Sequence, residues 1–336
     1  MLKRNVKFKA MILTLVLGSI AAFLCAFFVG SSGFSFREFA QVVDGSASSA
    51  VSQIFFNIRL PRAIGAFFVG AALAVSGCCL QGVFKNPMAD PFVLGISSGA
   101  ALGATIAMTF VLGTTLYGAG TIAVMSFAGA LLAIFVVYNI SRIRGKVSTF
   151  SLLLSGFAIS ALLSALIYLI MLLNRDKMEN VILWNMGSLA NMTWDKIWIA
   201  MPAILVCSTL LMFYAKPLNI LLNGDEVSRS LGVDTHKTRR NMLILTSLLS
   251  AVAVSISGVI GFVGLMVPHM LRMVAGPDNR RLLPLCFVGG GMYLLFCDVI
   301  ARIVLPGQEL PVGIVTAILG VPFFVFLLRR GKKGGV

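Results

Sequence analysis

Few residues of this chain have a type and spacing that could perform covalent chemistry. The run Gly95-Ile96-Ser97-Ser98-Gly99 matches the Gly-x-Ser-x-Gly pattern that presents a serine nucleophile in hydrolases. That pattern requires a turn between a strand and a helix, together with a histidine base. Here it opens an apolar run, and the two histidines are His236 and His269. The run therefore predicts close helix packing through small residues, and an intramembrane enzyme that uses Ser97 is disfavoured.

Neither a phosphate-binding motif nor a metal-ligand spacing of cysteines is found in the sequence, so no cofactor site is indicated. The sequence lacks Gly-x-x-x-x-Gly-Lys-Ser/Thr, the loop that binds nucleotide phosphates. We therefore predict no metal and no cofactor in this chain; if ATP powers the protein, a partner chain binds ATP-Mg. The cysteines show no ligand spacing with the histidines, which predicts free thiols packed as small hydrophobic residues. The six are Cys25, Cys78, Cys79, Cys207, Cys286 and Cys297.

One acidic residue, Asp298, lies well inside an apolar run. A carboxylate in such a place is costly and is usually paired or functional. Arg302 follows four residues later, one helical turn away, where the two side chains can meet. We predict a structural ion pair between them. A proton relay through Asp298, as in a secondary transporter, is the alternative.

The elements that must position these residues are membrane helices. The chain has 336 residues, of which 58% are hydrophobic and 12% charged, and its mean hydropathy is +0.97. A soluble domain cannot cover so much apolar surface with so few charges, and apolar runs of about 18 residues indicate membrane spans. The sequence thus predicts an all-α polytopic membrane protein, a single domain over 1–336. About ten spans are expected, near 10–30, 63–83, 93–112, 119–140, 150–173, 196–215, 241–257, 259–274, 283–301 and 311–328.

The net charge of +15 is explained by orientation in the membrane rather than by nucleic-acid binding. With the N-terminus inside and ten alternating spans, most of the 27 basic residues lie on the inner side, as the positive-inside rule requires. Both termini are then cytoplasmic. The first apolar run is too long for a typical signal peptide, so we interpret it as an uncleaved span. Seven basic residues fall outside: Arg37, Arg59, Arg62, Arg175, Lys177, Lys196 and Arg302.

Two polar segments between the spans have distinctive patterns. Residues 86–91, Asn-Pro-Met-Ala-Asp-Pro, form a short loop that two prolines stiffen. In the inner loop 216–240, Asn223 and Glu226 have the spacing of a capping box, and Gly232 is a helix stop. The helix predicted between them, Asp225 to Leu231, is too short to be stable alone. Either the protein's own helices or a partner must order it.

Three arginines are expected at the outer surface. Arg59 and Arg62 flank Pro61, and Arg302 ends the ninth predicted span. Guanidinium groups suit bidentate binding of carboxylates. We expect three exposed guanidiniums that recognise an acidic substrate or an acidic docking surface.

These motifs together resemble the permease subunit of the ABC importers for iron-siderophores, haem and cobalamin, the FecCD/BtuC type. The resemblance covers nearly the whole chain. The matching motifs are Arg59-Leu60-Pro61-Arg62, Leu80-Gln81-Gly82, Asn86-Pro87-Met88-Ala89-Asp90-Pro91, Leu94-Gly95-Ile96-Ser97-Ser98-Gly99-Ala100, Asp225-Glu226-Val227, Leu231-Gly232, Gly261-Phe262-Val263-Gly264-Leu265, Pro268-His269, Asp298 with Arg302, Glu309-Leu310-Pro311-Val312-Gly313 and Gly320-Val321-Pro322-Phe323-Phe324.

The resemblance implies an assembly and a role for each site. It implies two permease subunits, identical or paralogous, two cytoplasmic ATPases and an extracytoplasmic substrate-binding protein in a bacterial plasma (inner) membrane. Arg59, Arg62 and Arg302 would meet acidic residues of the binding protein. The fifth and tenth spans would line the path at the subunit interface. The helix at 223–232 would couple to the ATPase through Asp225, Glu226, Val227, Ser230, Leu231 and Gly232, and the inner gate would comprise Asn86, Pro87, Met88, Thr149 and Phe150.

Three positions depart from the family pattern. Met88 stands where leucine is usual, Ser228 stands where alanine is usual, and Phe150 occupies a place where a smaller gate residue is expected. The resulting hypothesis is an ATP-driven importer that moves a metal chelate by alternating access. Ferric siderophore is the first choice of cargo, and haem and cobalamin follow.

Overall fold

The computed structural model describes residues 2–29, 34–111, 118–143, 146–305 and 308–333. Nearly all of this is helical, which confirms the all-α membrane fold; the two-residue strands Arg142–Ile143 and Lys146–Val147 pair antiparallel. Short 3-10 or π segments cover Ile54–Arg59, Pro91–Leu94, Ala107–Val111 and Arg175–Lys177. The α-helices are α1 Leu2–Phe28, α2 Phe36–Val43, α3 Ser49–Gln53, α4 Leu60–Val83, α5 Ile96–Ile106, α6 Gly118–Ser141, α7 Thr149–Leu173, α8 Met178–Asn185, α9 Trp194–Phe213, α10 Ala215–Leu221, α11 Asp225–Ser230, α12 Thr235–Ser257, α13 Val263–Ala275, α14 Asn279–Ile303 and α15 Val312–Lys333.

The predicted spans correspond to helices of two lengths. Seven helices of the described chain are long and apolar enough to cross a membrane. The predicted third, eighth and tenth spans are shorter apolar helices, Ile96–Phe110, Val263–Ala275 and Val312–Phe326. At 1.5 Å per residue, α13 is only about 20 Å long, less than a hydrocarbon core of about 30 Å. It therefore needs neighbouring protein to cover its ends.

The turn between α12 and α13 is covered by residues that follow α8. Gly258 and Phe262 both have positive φ, 70° and 67°, which ends one helix and begins the next within five residues. Ser188 N–H donates to the Ser257 carbonyl at 2.8 Å. Non-helical backbone within a bilayer is tolerated only where protein satisfies its polar groups, and this bond supplies part of that satisfaction.

Helix α4 is the centre of the bundle. In the most apolar stretch of Ser49–Val83, 83% of the residues are buried. In the corresponding stretches of α7 and α1, only 11% and 17% of the residues are buried. Its small residues allow this position: Gly70 lies against Gly290 of α14, and Gly77 lies against Gly264 of α13. Helices without side chains at the crossing points can approach backbone to backbone. The chain therefore packs its other spans around one small-residue helix.

We predict that Gly77→Ala destabilises the protein. The new methyl group would overlap the Gly264 carbonyl, a backbone atom that cannot rotate away, and overpacking of this kind typically costs about 1–3 kcal/mol. The measurement is the thermal unfolding midpoint in detergent. Gly120→Ala is the matched control, because nothing lies within 4 Å of the added carbon there. Equal midpoints for the two variants would contradict the close α4–α13 contact.

Candidate functional site

A cluster of ion pairs joins the first turn of α4 to the last two turns of α14. Asp298 is completely buried. It accepts hydrogen bonds from Arg62, with Nη2 at 3.0 Å and Nε at 3.1 Å, and from Arg302. Arg62 Nη1 also lies 2.6 Å from Glu309 Oε2. The predicted contact of Asp298 with Arg302 is therefore present, within a larger network that includes Arg62 and Glu309.

The expectation of three exposed guanidiniums is wrong. Arg59, Arg62 and Arg302 are only 4%, 6% and 6% exposed. Arg59 donates to the Phe27 carbonyl and lies over the Phe34 ring, while Arg302 donates to the Ala26 carbonyl at 3.0 Å. The last carbonyls of a helix have no partner within it, so these two side chains satisfy the end of α1. The spacing of residues in the sequence did not predict this role, because both arginines are distant in the chain from the end of α1.

The loop 85–91, which we call the gate segment, is held by its own hydrogen bonds. Lys85 has a φ of 51°. Its N–H donates to Gly82 O, and Asn86 N–H donates to Gln81 O at 3.1 Å. These bonds form the Schellman motif that ends many helices. Asn86 Oδ1 accepts from Met88 N–H at 2.9 Å. The segment is thus ordered locally, as the two prolines predict.

Asp90 anchors the far end of the gate segment. Its Oδ1 accepts from Phe92 N–H at 2.9 Å and caps the 3-10 turn Pro91–Leu94. Burial raises the pKa of this carboxyl to about 6, although the hydrogen bond from Phe92 acts in the opposite direction. The turn that follows packs against α7, where the Val93 carbonyl lies against Gly156. Asp90 therefore links the gate segment to the helix that contains the other predicted gate residues.

The remaining predicted gate residues are open to their surroundings. Helix α7 begins at Thr149, and Ser148 caps it by accepting from Ser151 N–H at 3.0 Å. Phe150 is 75% exposed and Met88 is 44% exposed. Within the described ranges, no hydrogen bond or ion pair joins Thr149 or Phe150 to the gate segment. Their role as an inner gate stays a prediction that needs a partner surface.

Helix α11 matches the predicted coupling helix in position but differs in its start. It spans Asp225–Ser230, and the predicted capping box is absent. Gly224, with a φ of 107°, is the N-cap, and Asn223 Nδ2 instead donates to Asn219 O. A glycine with positive φ lets the chain turn sharply into the helix, which leaves Asn223 outside capping reach. The predicted stop is confirmed: Gly232 has a φ of 78°, and Val233 N–H donates to Ser228 O.

Several contacts attach α11 to the bundle. Arg239 of α12 holds Asp225 with two hydrogen bonds, of 2.6 and 3.1 Å. The Ser228 hydroxyl is buried and donates to carbonyls of Ile220 and Gly224, so serine at this position makes a specific contact. On the other side, Val227 and Leu231 are 46% and 61% exposed, and Glu226, Ser230 and Gly232 are exposed as well.

An uncharged cavity of about 320 Å³ lies between α5, α7 and the α8 region. The sequence patterns did not predict this cavity. The Ser97 hydroxyl lies on its wall and has no hydrogen-bond partner among the described residues. A serine nucleophile needs a base in contact, so this geometry disfavours the enzyme hypothesis; Gly99 and Gly103 instead pack against α6. The lining is Ser97, Ser98, Ala101, Ser164, Ile167, Tyr168, Met171, Ile182, Asn185, Met186 and Val259.

We predict that Asp298→Asn strongly destabilises the protein. Two buried guanidiniums would lose their shared carboxylate, and breaking a buried ion pair typically costs about 3–5 kcal/mol. The unfolding midpoint in detergent measures this. Asp176→Asn is the matched control, because Asp176 pairs with Lys177 at 3.6 Å and its side chain is 72% exposed, where such pairs contribute about 0–1 kcal/mol. An unchanged midpoint for Asp298→Asn would refute the structural role.

The chain is similar to known membrane permeases along almost its whole length. Residues 16–330 match the FecCD transport family. The cobalamin import system permease protein BtuC of Halobacterium salinarum is 44% identical over 296 residues, which are 88% of this chain and 76% of that protein. The hemin transport system permease protein HmuU of Yersinia pestis is 40% identical, over 95% of this chain and 96% of that one.

A solved structure has the same fold. It is described as an inward-facing conformation of a metal-chelate type ABC transporter, and it superposes with a TM-score of 0.84 at 33% identity, covering 96% of this chain and 99% of that chain. The family match and the fold agree over the same residues. The chain therefore belongs to the FecCD transport family and is a permease of the ABC importer type.

Proposed function

We propose that this permease pairs with a second permease subunit and two cytoplasmic ATPases, and imports a metal chelate delivered by an extracytoplasmic binding protein. ATP-Mg is bound and hydrolysed by the ATPases. Their movement rocks the two permease bundles between outward-open and inward-open states. The observation that carries this proposal is α11, which is firmly attached to the bundle on one side and open on the other.

A coupling element must transmit force, so it must be stiff where it joins the bundle. Asp225 is bound to Arg239 of α12 by two hydrogen bonds, and Ser228 is buried. Displacement of α11 would therefore displace α12, a helix that packs on α4. The exposed apolar side chains Val227 and Leu231, with Glu226 beside them, suit a groove on an ATPase. Ser230 and Gly232 complete the proposed contact surface.

The second subunit would cover α7. This helix is strongly apolar, with a mean hydropathy of 2.4, yet few of its residues are buried. Phe150 and Phe157 are more than 70% exposed. In the proposed dimer, α7 and α15 of both subunits line the path, and lipid covers the remaining apolar helices. Asn86, Pro87, Met88, Thr149 and Phe150 then meet their counterparts to close the inner gate.

The cargo proposed is a bulky chelate with an organic shell. The cavity between α5, α7 and α8 is lined by hydroxyl, amide, thioether and apolar groups and by no charged side chain. Such a wall binds an organic surface weakly, which favours passage over retention. The similarity to permeases named for cobalamin and hemin supports this class. Ferric siderophore, haem and cobalamin are the three candidates.

The orientation proposed is a multi-pass protein of the bacterial inner membrane with both termini in the cytoplasm, from the distribution of its basic residues. Docking of the binding protein at Arg59, Arg62 and Arg302 would require its carboxylates to displace groups already present, since all three guanidiniums are buried. Within the ion-pair network of Arg62, Asp298, Arg302 and Glu309, the Glu309 side chain is the accessible one, at 32% exposure. A proton relay through Asp298 is not favoured, because that carboxylate is fully buried between two guanidiniums.

We predict that Glu226→Arg uncouples the complex. The substitution reverses a charge on the exposed side of α11 while leaving its contacts with α12 intact, so the permease should fold. We expect at least a tenfold loss of ATP hydrolysis stimulated by the binding protein, measured in nanodiscs with the partner ATPases. Glu179→Arg is the matched control: it makes the same charge change on α8, another short helix, at the predicted outer end. Full stimulation in Glu226→Arg would refute coupling through α11.

We predict saturable, ATP-dependent uptake of one of the three chelates into proteoliposomes that contain the complete complex. Radiolabelled ferric siderophore, haem and cobalamin are compared at equal concentration, each with its own binding protein. Uptake driven by a proton gradient without ATPases would instead support the secondary transporter. Uptake of a free oxyanion in preference to all three chelates would overturn the proposed cargo class.

A further inference from the structure

A second cavity, of about 270 Å³, lies where the end of α4 meets the gate segment, α10, α13 and the start of α14. A water molecule in the liquid occupies about 30 Å³, so this space holds several waters or one small polyatomic ion. It shares Asn86 and Pro87 with the proposed inner gate, and none of the proposed coupling residues lines it. Its lining residues are Gln81, Gly82, Lys85, Asn86, Pro87, Leu222, Arg272, Pro277 and Asn279.

The charged groups on this lining are two cations from different elements, Lys85 and Arg272. Arg272 Nη1 donates to Gln81 Oε1 at 3.0 Å. Gln81 Nε2 in turn donates to the carbonyls of Gly264 and Leu265, at 3.3 and 3.2 Å. The guanidinium is thus fixed at the wall, and most of its five N–H donors remain for other acceptors. In the described part of the chain, the Lys85 ammonium has no ion pair.

The Asp278 carboxylate, which lies between two lining residues in the sequence, is engaged by other groups. Asp278 Oδ1 accepts from Asn219 Nδ2 at 2.6 Å and from Arg280 N–H at 3.1 Å. Asn219 Oδ1 accepts from the backbone N–H and the side-chain Nδ2 of Asn279, which closes this corner of the cavity. No acidic side chain belongs to the lining. Among the described residues, the lining of this cavity therefore has two cations and no anion.

We propose that this cavity binds a phosphate group. A phosphate offers several acceptor oxygens and one to two negative charges, which match a hydrogen-bonded guanidinium and an exposed ammonium on the same lining. The Asn86 amide adds a donor, because its Oδ1 is already used by Met88 N–H. The site lies at the predicted cytoplasmic end of α4, where anionic lipid head groups and soluble phosphates are both present. Basic pockets between helices on this side of a membrane bind lipid head groups.

The bound group would contact several separate parts of the protein. It would contact the gate segment through Lys85 and Asn86, and α13 through Arg272. Leu222, on the same wall, lies three residues before α11 begins. If the proposed function is correct, phosphate binding stabilises one relative position of gate and coupling helix. Binding itself does not depend on that function.

Native mass spectrometry of the purified full-length chain tests the proposal, with titration of phosphatidylglycerol, phosphatidylcholine and inorganic phosphate. The variants are Lys85→Gln and Arg272→Gln. Each cation near a membrane surface contributes about 1 kcal/mol to anion binding, so each variant should weaken the first binding event about fivefold. Lys216→Gln is the matched control, because this exposed lysine of α10 is not part of the lining.

The two sources of phosphate give different results. Preference for phosphatidylglycerol that inorganic phosphate does not reduce identifies a lipid head group, whereas direct binding of inorganic phosphate identifies a soluble ligand. Either result supports the site if the two variants lose affinity and Lys216→Gln does not. Equal affinity in all variants, or an equal loss in Lys216→Gln, would overturn it. Lys85 is exposed and forms no ion pair with the described residues, so Lys85→Gln keeps the test valid even if Arg272→Gln fails to fold.

Discussion

The rest of the structure depends on the backbone-to-backbone contact between α4 and its neighbours. Lipid tails are as apolar as leucine, so a bilayer provides little hydrophobic driving force for helix association. Gly70 and Gly77 allow α4 to touch α14 and α13 directly, and most of α4 is consequently buried. The positions of both ends of this helix are fixed by that contact.

The two ends of α4 have different chemistry. At the predicted outer end, Arg62 binds Asp298 and Glu309, which ties α4 to α14 and to the chain that follows it. At the other end, Gln81 and Arg272 tie α4 to α13, and the gate segment begins. Buried charged networks are costly unless every member is satisfied. Here the partners come from several helices, so each network also specifies how those helices are arranged.

Helices α11 and α7 have the surfaces to which the proposed partners would bind. Short helices are unstable alone, and α11 is ordered by a bidentate ion pair and a buried serine rather than by its own length. Its opposite side, like most of α7, exposes apolar groups. A stiff attachment combined with an open surface is what a force-transmitting contact requires. In the proposed dimer, a second bundle would cover the apolar surface of α7.

The sequence by itself determined the class of fold, the approximate positions of the long spans and the stop at Gly232, because hydropathy, chain length and glycine conformation are local properties. Helix α7, for example, begins within one residue of the predicted span. Only the tertiary structure decided the environment of the arginines. Arg59 and Arg302 satisfy carbonyls of α1, and Arg62 reaches an aspartate 236 positions away. Exposure and ion pairing depend on which distant segments meet, and single-sequence patterns do not encode that. The same reason applies to the cavity lined by Lys85 and Arg272, whose lining comes from four separate stretches of the chain.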